Sequence, residues 1–120
     1  SRIELVWVPG AFELPVAAAV AAAQRPSAIV ALGCLIKGQT PQYLTIAGAV
    51  AWGLTQVGID AKIPVTFGVI VADSVEQAQE RCGGAAGHRG AEAAAAAVAM
   101  LEAVRALRSK ARRTGAGVLR

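Results

Sequence analysis

Three short segments of this sequence hold side chains that can do chemistry: Pro9–Glu13, Gly33–Gln42 and Phe67–Asp73. In the second, Gly38-Gln39-Thr40-Pro41 is a polar glycine turn that opens a helical pattern. Free backbone N–H groups and a threonine hydroxyl at a helix N-terminus make an anion site. Arg81, at the end of a short helical segment from Ser74 to Cys82, can supply the matching cation. A guanidinium captures phosphate through two parallel hydrogen bonds, although an arginine at a helix end is equally served by solvent and the C-terminal dipole. Phe12 sits at a strand-to-helix turn, where an aromatic either packs inward or faces a ligand. Glu13 beside it either caps the helix, favoured by the dipole there, or accepts from a ligand amide or hydroxyl. A phosphorylated small molecule is the ligand class that these segments share.

The surrounding pattern has to position them. Ile3–Val8 reads as a strand of mixed burial, stopped by Pro9-Gly10. Glu13–Ala23 reads as a helix with Pro15 tolerated in its first turn. Ala28–Ile36 and Val65–Ala72 are nearly continuous apolar runs, the signature of strands buried on both faces of a parallel sheet. Between them Tyr43, Ile46, Val50, Leu54 and Val57 recur at helical spacing, with Gly58 as the stop. Ser74 and Gln77 have the spacing of a capping box. After the glycine-rich loop Gly83–Gly90, a long helix from about Ala91 is expected to bury Val98, Leu101, Val104 and Leu107. The order β-α-β-α-β-α-α predicts an α/β fold, a three-layer α-β-α sandwich around a parallel sheet with right-handed crossovers. In such sheets ligands collect beyond the carboxyl ends of the strands, which gathers the three segments into one site.

Composition narrows the class. Hydrophobic residues make up 55% of the 120, mean hydropathy is +0.50, and 17% are charged. So few charges on a small domain predict helix faces buried against sister subunits. No apolar run is expected to reach the ~18–20 residues of a membrane span, so no membrane partner is expected. Cys34 and Cys82 show no disulfide framework or metal spacing, and a cytoplasmic protein with reduced thiols is expected. Net charge is +4, concentrated at Arg105, Arg108, Lys110, Arg112, Arg113 and Arg120. Residues 1–108 read as the α/β domain and 109–120 as a basic tail, either a solvated helix end or an arm for acidic partners. No aromatic interleaves it, so base stacking has no platform and nucleic acid is an unlikely partner.

Val8-Pro9-Gly10-Ala11-Phe12-Glu13-Leu14-Pro15, Ala31-Leu32-Gly33-Cys34-Leu35-Ile36-Lys37-Gly38-Gln39-Thr40-Pro41, Phe67-Gly68-Val69, Glu76-Gln77-Ala78 and Glu80-Arg81 together resemble the lumazine synthase family. The resemblance runs from Val6 to about Arg108 and implies a flavodoxin-like sheet. It implies condensation of 5-amino-6-(D-ribitylamino)uracil with 3,4-dihydroxy-2-butanone 4-phosphate in riboflavin biosynthesis, without a metal or organic cofactor. By resemblance, Phe12 stacks on the pyrimidine while Ala11 and Glu13 hold the ring and ribityl chain. Cys34, Leu35 and Ile36 present backbone groups to the ring edge. Gln39, Thr40 and Arg81 take the phosphate with Arg89, which stands where the family usually has lysine. Phe67 closes the pocket of a neighbouring subunit. The family assembles as homopentamers, twelve of which close into a 60-subunit icosahedral capsid in many members.

Two departures stand out. Gln42 occupies the position of the family's proton-donating histidine, and an amide has no accessible pKa for that task. The one histidine, His88, lies in the glycine-rich loop, either solvated or near a phosphate or partner. The sequence also begins just before what resembles the family's second strand, so the first strand-helix unit is expected to be absent, exposing the sheet's face or edge. An enzyme slowed by Gln42 and an inactive shell subunit are therefore the two competing expectations.

Overall fold

The computed structural model describes residues 2–113. A single turn of 3-10 helix, Ala11–Glu13, leads into α1 (Leu14–Ala22), then β1 (Ile29–Ile36), α2 (Gln42–Ala61), β2 (Val65–Ala72) and α3 (Val75–Glu80). A small hairpin of β3 (Cys82–Gly84) and β4 (Gly87–His88) precedes the long α4 (Arg89–Arg113). β1 and β2 pair in parallel without a slip, from Ile29 against Val65 to Ile36 against Ala72. Both strands and their parallel pairing match expectation, but burial on both faces does not hold for β1, whose even residues are exposed.

Three layers follow from the alternation of the strands. The odd residues of β1 face α1 and α2, where Ala18, Ala31, Val50, Leu54 and Val69 form the buried core. The even face meets α4 and α3, with Ile70, Ala72 and Ala78 as a second buried cluster. Glycine sets two of the approaches. A Cβ at Gly68 would lie 2.6 Å from Leu32 and 3.1 Å from Ala93, so its absence lets α4 settle on the sheet. A Cβ at Gly53 would lie 2.7 Å from the Pro15 ring, which fixes how closely α1 and α2 pack.

Several expectations need correction. Ile3–Val8 is not a strand: no ladder partner exists for it among the described residues. Its side chains are not of mixed burial either, with Ile3 92% and Trp7 85% exposed. Strand-forming side chains cannot make a strand alone, because the backbone groups need a neighbour. Gly58 does not end α2. The helix continues to Ala61 and closes on Lys62, whose φ of 58° is left-handed and whose N–H donates to the Gly58 carbonyl at 2.8 Å. The buried line of α4 is Ala93 and Ala97, with Leu101 and Val104 half-buried, while Val98 and Leu107 are exposed. Close packing over Gly68 selects the small side chains. Ser109–Arg113 continue α4, and the rest of the expected tail, 114–120, lies outside the described residues. The Gly83–Gly90 loop contains the β3–β4 hairpin.

By length and hydropathy alone α2 meets the test for a membrane span, contrary to expectation. It instead packs against α1 and β2 through Val50 and Leu54. Ser74 caps α3 by accepting from the Gln77 N–H at 3.1 Å, but the Gln77 side chain accepts from Asp73 N–H rather than from Ser74. The outer face of β1 is open, with Val30, Leu32 and Ile36 38%, 53% and 38% exposed.

Gly53→Ala is expected to lower the thermal midpoint, although alanine is the better helix former by ~1 kcal/mol. Displacing the rigid Pro15 ring costs about 1–3 kcal/mol, which outweighs that gain. Gly48→Ala, with nothing within 4 Å of its Cβ, should instead stabilise by about 0.5–1 kcal/mol. Calorimetry of the two variants checks the pair, and a stabilised Gly53→Ala would show that the helix contact is slack.

Candidate active site

Parallel pairing fixes where the chain leaves the sheet. Lys37 N–H donates to the Ala72 carbonyl at 2.9 Å, so the segment entering α2 and the segment entering α3 start side by side. Ile29 N–H donates to Pro64 at the other end. With Ile29 and Lys37 both bonded to β2, the period of two commits the odd residues of β1 to that ladder. The backbone groups of Cys34 and Ile36 are therefore free along the open edge, and those of Leu35 are not.

The turn before α1 lies against this strand end. Ala11 Cβ sits 3.7 Å from where a Gly33 Cβ would be, and Leu14 reaches to 3.4 Å of it. Phe12 is 61% exposed, which removes the core-packing reading. Glu13 is the N-cap residue of α1, as the cap reading has it, although its side chain makes no capping hydrogen bond. Both side chains belong to the turn that packs on β1 at Gly33, toward the rim of the sheet where β1 ends.

Gln39 and Thr40 are exposed in the bend that opens α2. Thr40 Oγ1 accepts from the Gln42 N–H at a long 3.4 Å, and Gln42 is the first residue of the 20-residue helix. Its side chain is exposed at the positive end of the helix dipole. Tyr43 follows, and its hydroxyl donates to Asp73 Oδ1 at 2.8 Å. That bond, then burial and the aspartate's charge, push the phenol above its ordinary value. Tyr43 thus stays a donor and ties the start of α2 to the end of β2. The apolar spacing of α2 placed Tyr43 in a core stripe, and a tyrosine one step inside a helix was the only signal of this second role.

Arg81 closes α3, about 9 Å along the helix from Val75 at 1.5 Å per residue. It is half-buried, and its Nη1 donates to the Gln77 carbonyl at 2.8 Å. One of five guanidinium donors is used, leaving the others for a ligand. Arg89 N–H donates to the Arg81 carbonyl at 2.8 Å, so the two arginines are neighbours across the hairpin. The Arg89 guanidinium is already engaged, with Ala86 at 3.1 Å and Glu92 at 3.2 Å. His88 is explained without a ligand. Its Nδ1 accepts from Ala91 N–H at 3.0 Å and its own N–H donates to Glu92, which caps α4.

Phe67 is not brought to this rim. It lies five residues before Ala72 in β2, about 16 Å back along the strand at 3.3 Å per residue, and it is 42% exposed. The better-formed cavities also lie elsewhere. One of about 280 Å³, between the end of α2 and Met100, has no titratable group in its lining. This end of the sheet therefore carries an exposed polar bend, an exposed aromatic, a carboxylate without a capping bond and an unused strand edge.

Cys34 is set within this rim, and its thiol is pushed above its ordinary value near 9.0, first by burial and then by Cys82. At neutral pH the thiol stays protonated and is a poor nucleophile. Iodoacetamide labelling of Cys34, followed by mass spectrometry, should show a midpoint above pH 9.0. Cys82→Ser should lower it only part of the way, because burial is the larger cause; a midpoint below the ordinary value would contradict this environment.

A family model described as 6,7-dimethyl-8-ribityllumazine synthase matches residues 1–105 of the chain.

Proposed function

The chain belongs to the 6,7-dimethyl-8-ribityllumazine synthase family, and we propose that it catalyses the condensation of 5-amino-6-(D-ribitylamino)uracil with 3,4-dihydroxy-2-butanone 4-phosphate. The observation that carries this reading is the convergence of the Phe12–Glu13 turn, the free β1 edge and the Gln39–Thr40 bend at one end of the sheet. An aromatic face and unused strand groups suit a flat pyrimidine. Helix N–H groups, a hydroxyl and a half-free arginine suit a phosphate.

In the proposed reaction the uracil's primary amine attacks the ketone, and loss of water gives a Schiff base. Phosphate leaves by elimination, and the ribitylamino nitrogen closes the ring with loss of a second water. Phe12, Ala11 and Glu13 hold the amine partner, and the free groups of Cys34 and Ile36 serve its ring edge. Gln39, Thr40 and Arg81 hold the phosphate, with Arg89 joining only by sharing its contact with Glu92. Holding two reactive molecules in register supplies much of the rate. Gln42 orients a reactant or a water, and solvent carries the protons that a histidine there would transfer.

The exposed apolar surface supports assembly in copies. Leu44, Trp52 and Ile59 on α2 are 54%, 69% and 61% exposed, more than a lone domain of this size needs to show. Homopentamers, with Phe67 of each copy facing the rim of the next, fit the distance between Phe67 and the clamp. Closure into a 60-subunit capsid and residence in the cytoplasm complete the proposal. The second reading, a shell subunit without turnover, is favoured by one residue, Gln42.

Product fluorescence with both substrates decides between them. Wild type should turn over slowly, and Gln42→His should raise kcat about 10²-fold, the lower range of general acid–base catalysis. Wild type at the uncatalysed rate, restored by Gln42→His, would favour the shell. Arg81→Ala should raise KM for the phosphate substrate by ~10-fold or more, from a lost charge-assisted pair worth about 1.5–3 kcal/mol. An unchanged KM would remove Arg81 from the clamp. Light scattering at micromolar concentration should give a pentamer or larger, and a monomer would contradict the shared site.

A further inference from the structure

The pole of the sheet opposite the rim carries an unassigned cluster of cations. The ends of α1 and α2 meet there beside the C-terminal half of α4, around a cavity of about 230 Å³. Arg25, Lys62, Arg105 and Arg108 line it above a floor of buried Ile63 and Pro64. Two of the four are pinned. Arg25 Nη1 donates to the Ala61 carbonyl and Arg108 Nη2 to the Lys62 carbonyl, each at 2.8 Å. Arg25 and Lys62 are also the only non-glycine residues with positive φ among the described residues, at 57° and 58°. The backbone is thus turned at both helix ends to seat cations on one cavity.

Among the described residues no carboxylate lines this cavity. The ion pairs among the described residues are Arg2–Glu4 and Arg89–Glu92, and neither is here. Asp60, nearest in sequence, accepts from Gln56 instead. Cations at helix C-termini ordinarily answer the dipole, but two termini present only about −0.5 charge each. Four cations against roughly −1 leave an excess of about +3 in a concave, half-apolar setting, where charge acts more strongly than on an open face.

We infer that this cavity binds a small multivalent oxyanion of the phosphate or pyrophosphate type, at a site separate from the substrate rim. A guanidinium held on a carbonyl keeps donors free for such a ligand, and Lys62 and Arg105 are uncommitted. A nucleic-acid strand is the poorer fit, since no aromatic lines the cavity.

The test is calorimetric titration of the full chain with pyrophosphate at low ionic strength. Lys62→Gln with Arg105→Gln removes two side chains that make no hydrogen bond, so folding should be unchanged while the association constant falls tenfold or more. Arg2→Gln with Lys37→Gln removes equal charge elsewhere and should leave binding intact, and Arg81→Ala at the rim should spare the binding that Lys62 and Arg105 support. Binding lost with Arg81→Ala, or reduced equally by both charge pairs, overturns the site. Displacement of pyrophosphate by a single-stranded oligonucleotide at equal phosphate concentration overturns the ligand class.

Discussion

Eight residues of β1 lie in unbroken parallel register with eight of β2, and the rest of the molecule is arranged by that ladder. A parallel pair must send its chain back along the outside of the sheet, which makes α2 run against the strands. The N-terminus of α2 then lies at one pole of the sheet and its C-terminus at the other. The Gln39–Thr40 bend and the start of α3 share the first pole because Ile36 and Ala72 end together. Arg25 and Lys62 share the second because α1 and α2 end together. One ladder therefore sorts the dipoles, and the polar side chains follow them.

What was legible in the sequence was whatever depends on neighbours in the chain. β2 matched its expected bounds, since eight apolar residues between turns have few alternatives. The Gln39–Thr40 bend was visible from turn chemistry, and Ser74 from its cap. Ile3–Val8 has the same strand signature and failed, because a strand is a property of a pair and its partner cannot be read from its own residues. The buried line of α4 was misjudged by choosing large side chains. Contact over Gly68 is so close that Ala93 fits where leucine would not. The Tyr43–Asp73 bond spans 30 residues and had no local signal.

The same closeness explains the odd balance of a greasy chain with a thin core. Alanine and glycine at the contacts bring layers near enough for dispersion to act but bury little area per residue. Among the described residues the fully buried large side chains are only Leu54 and Val50. Much of the apolar surface has to find cover outside the chain, and it lies on both α2 and the even face of β1.

Gln42 is best understood through the helix it begins. A charged imidazolium at the positive end of a 20-residue helix is disfavoured by the dipole, so a histidine there would lean toward its neutral form. An amide avoids that conflict and leaves the N-terminal N–H groups undisturbed for an anion. The substitution therefore separates two roles that one position would otherwise combine. In the proposed reaction it gives up proton transfer, which solvent can replace at a cost in rate, and leaves the helix N-terminus to the anion. Under the proposed function, Thr40, Gln39 and a half-free Arg81 keep the site organised around holding the phosphate, while Gln42 leaves the protons to solvent.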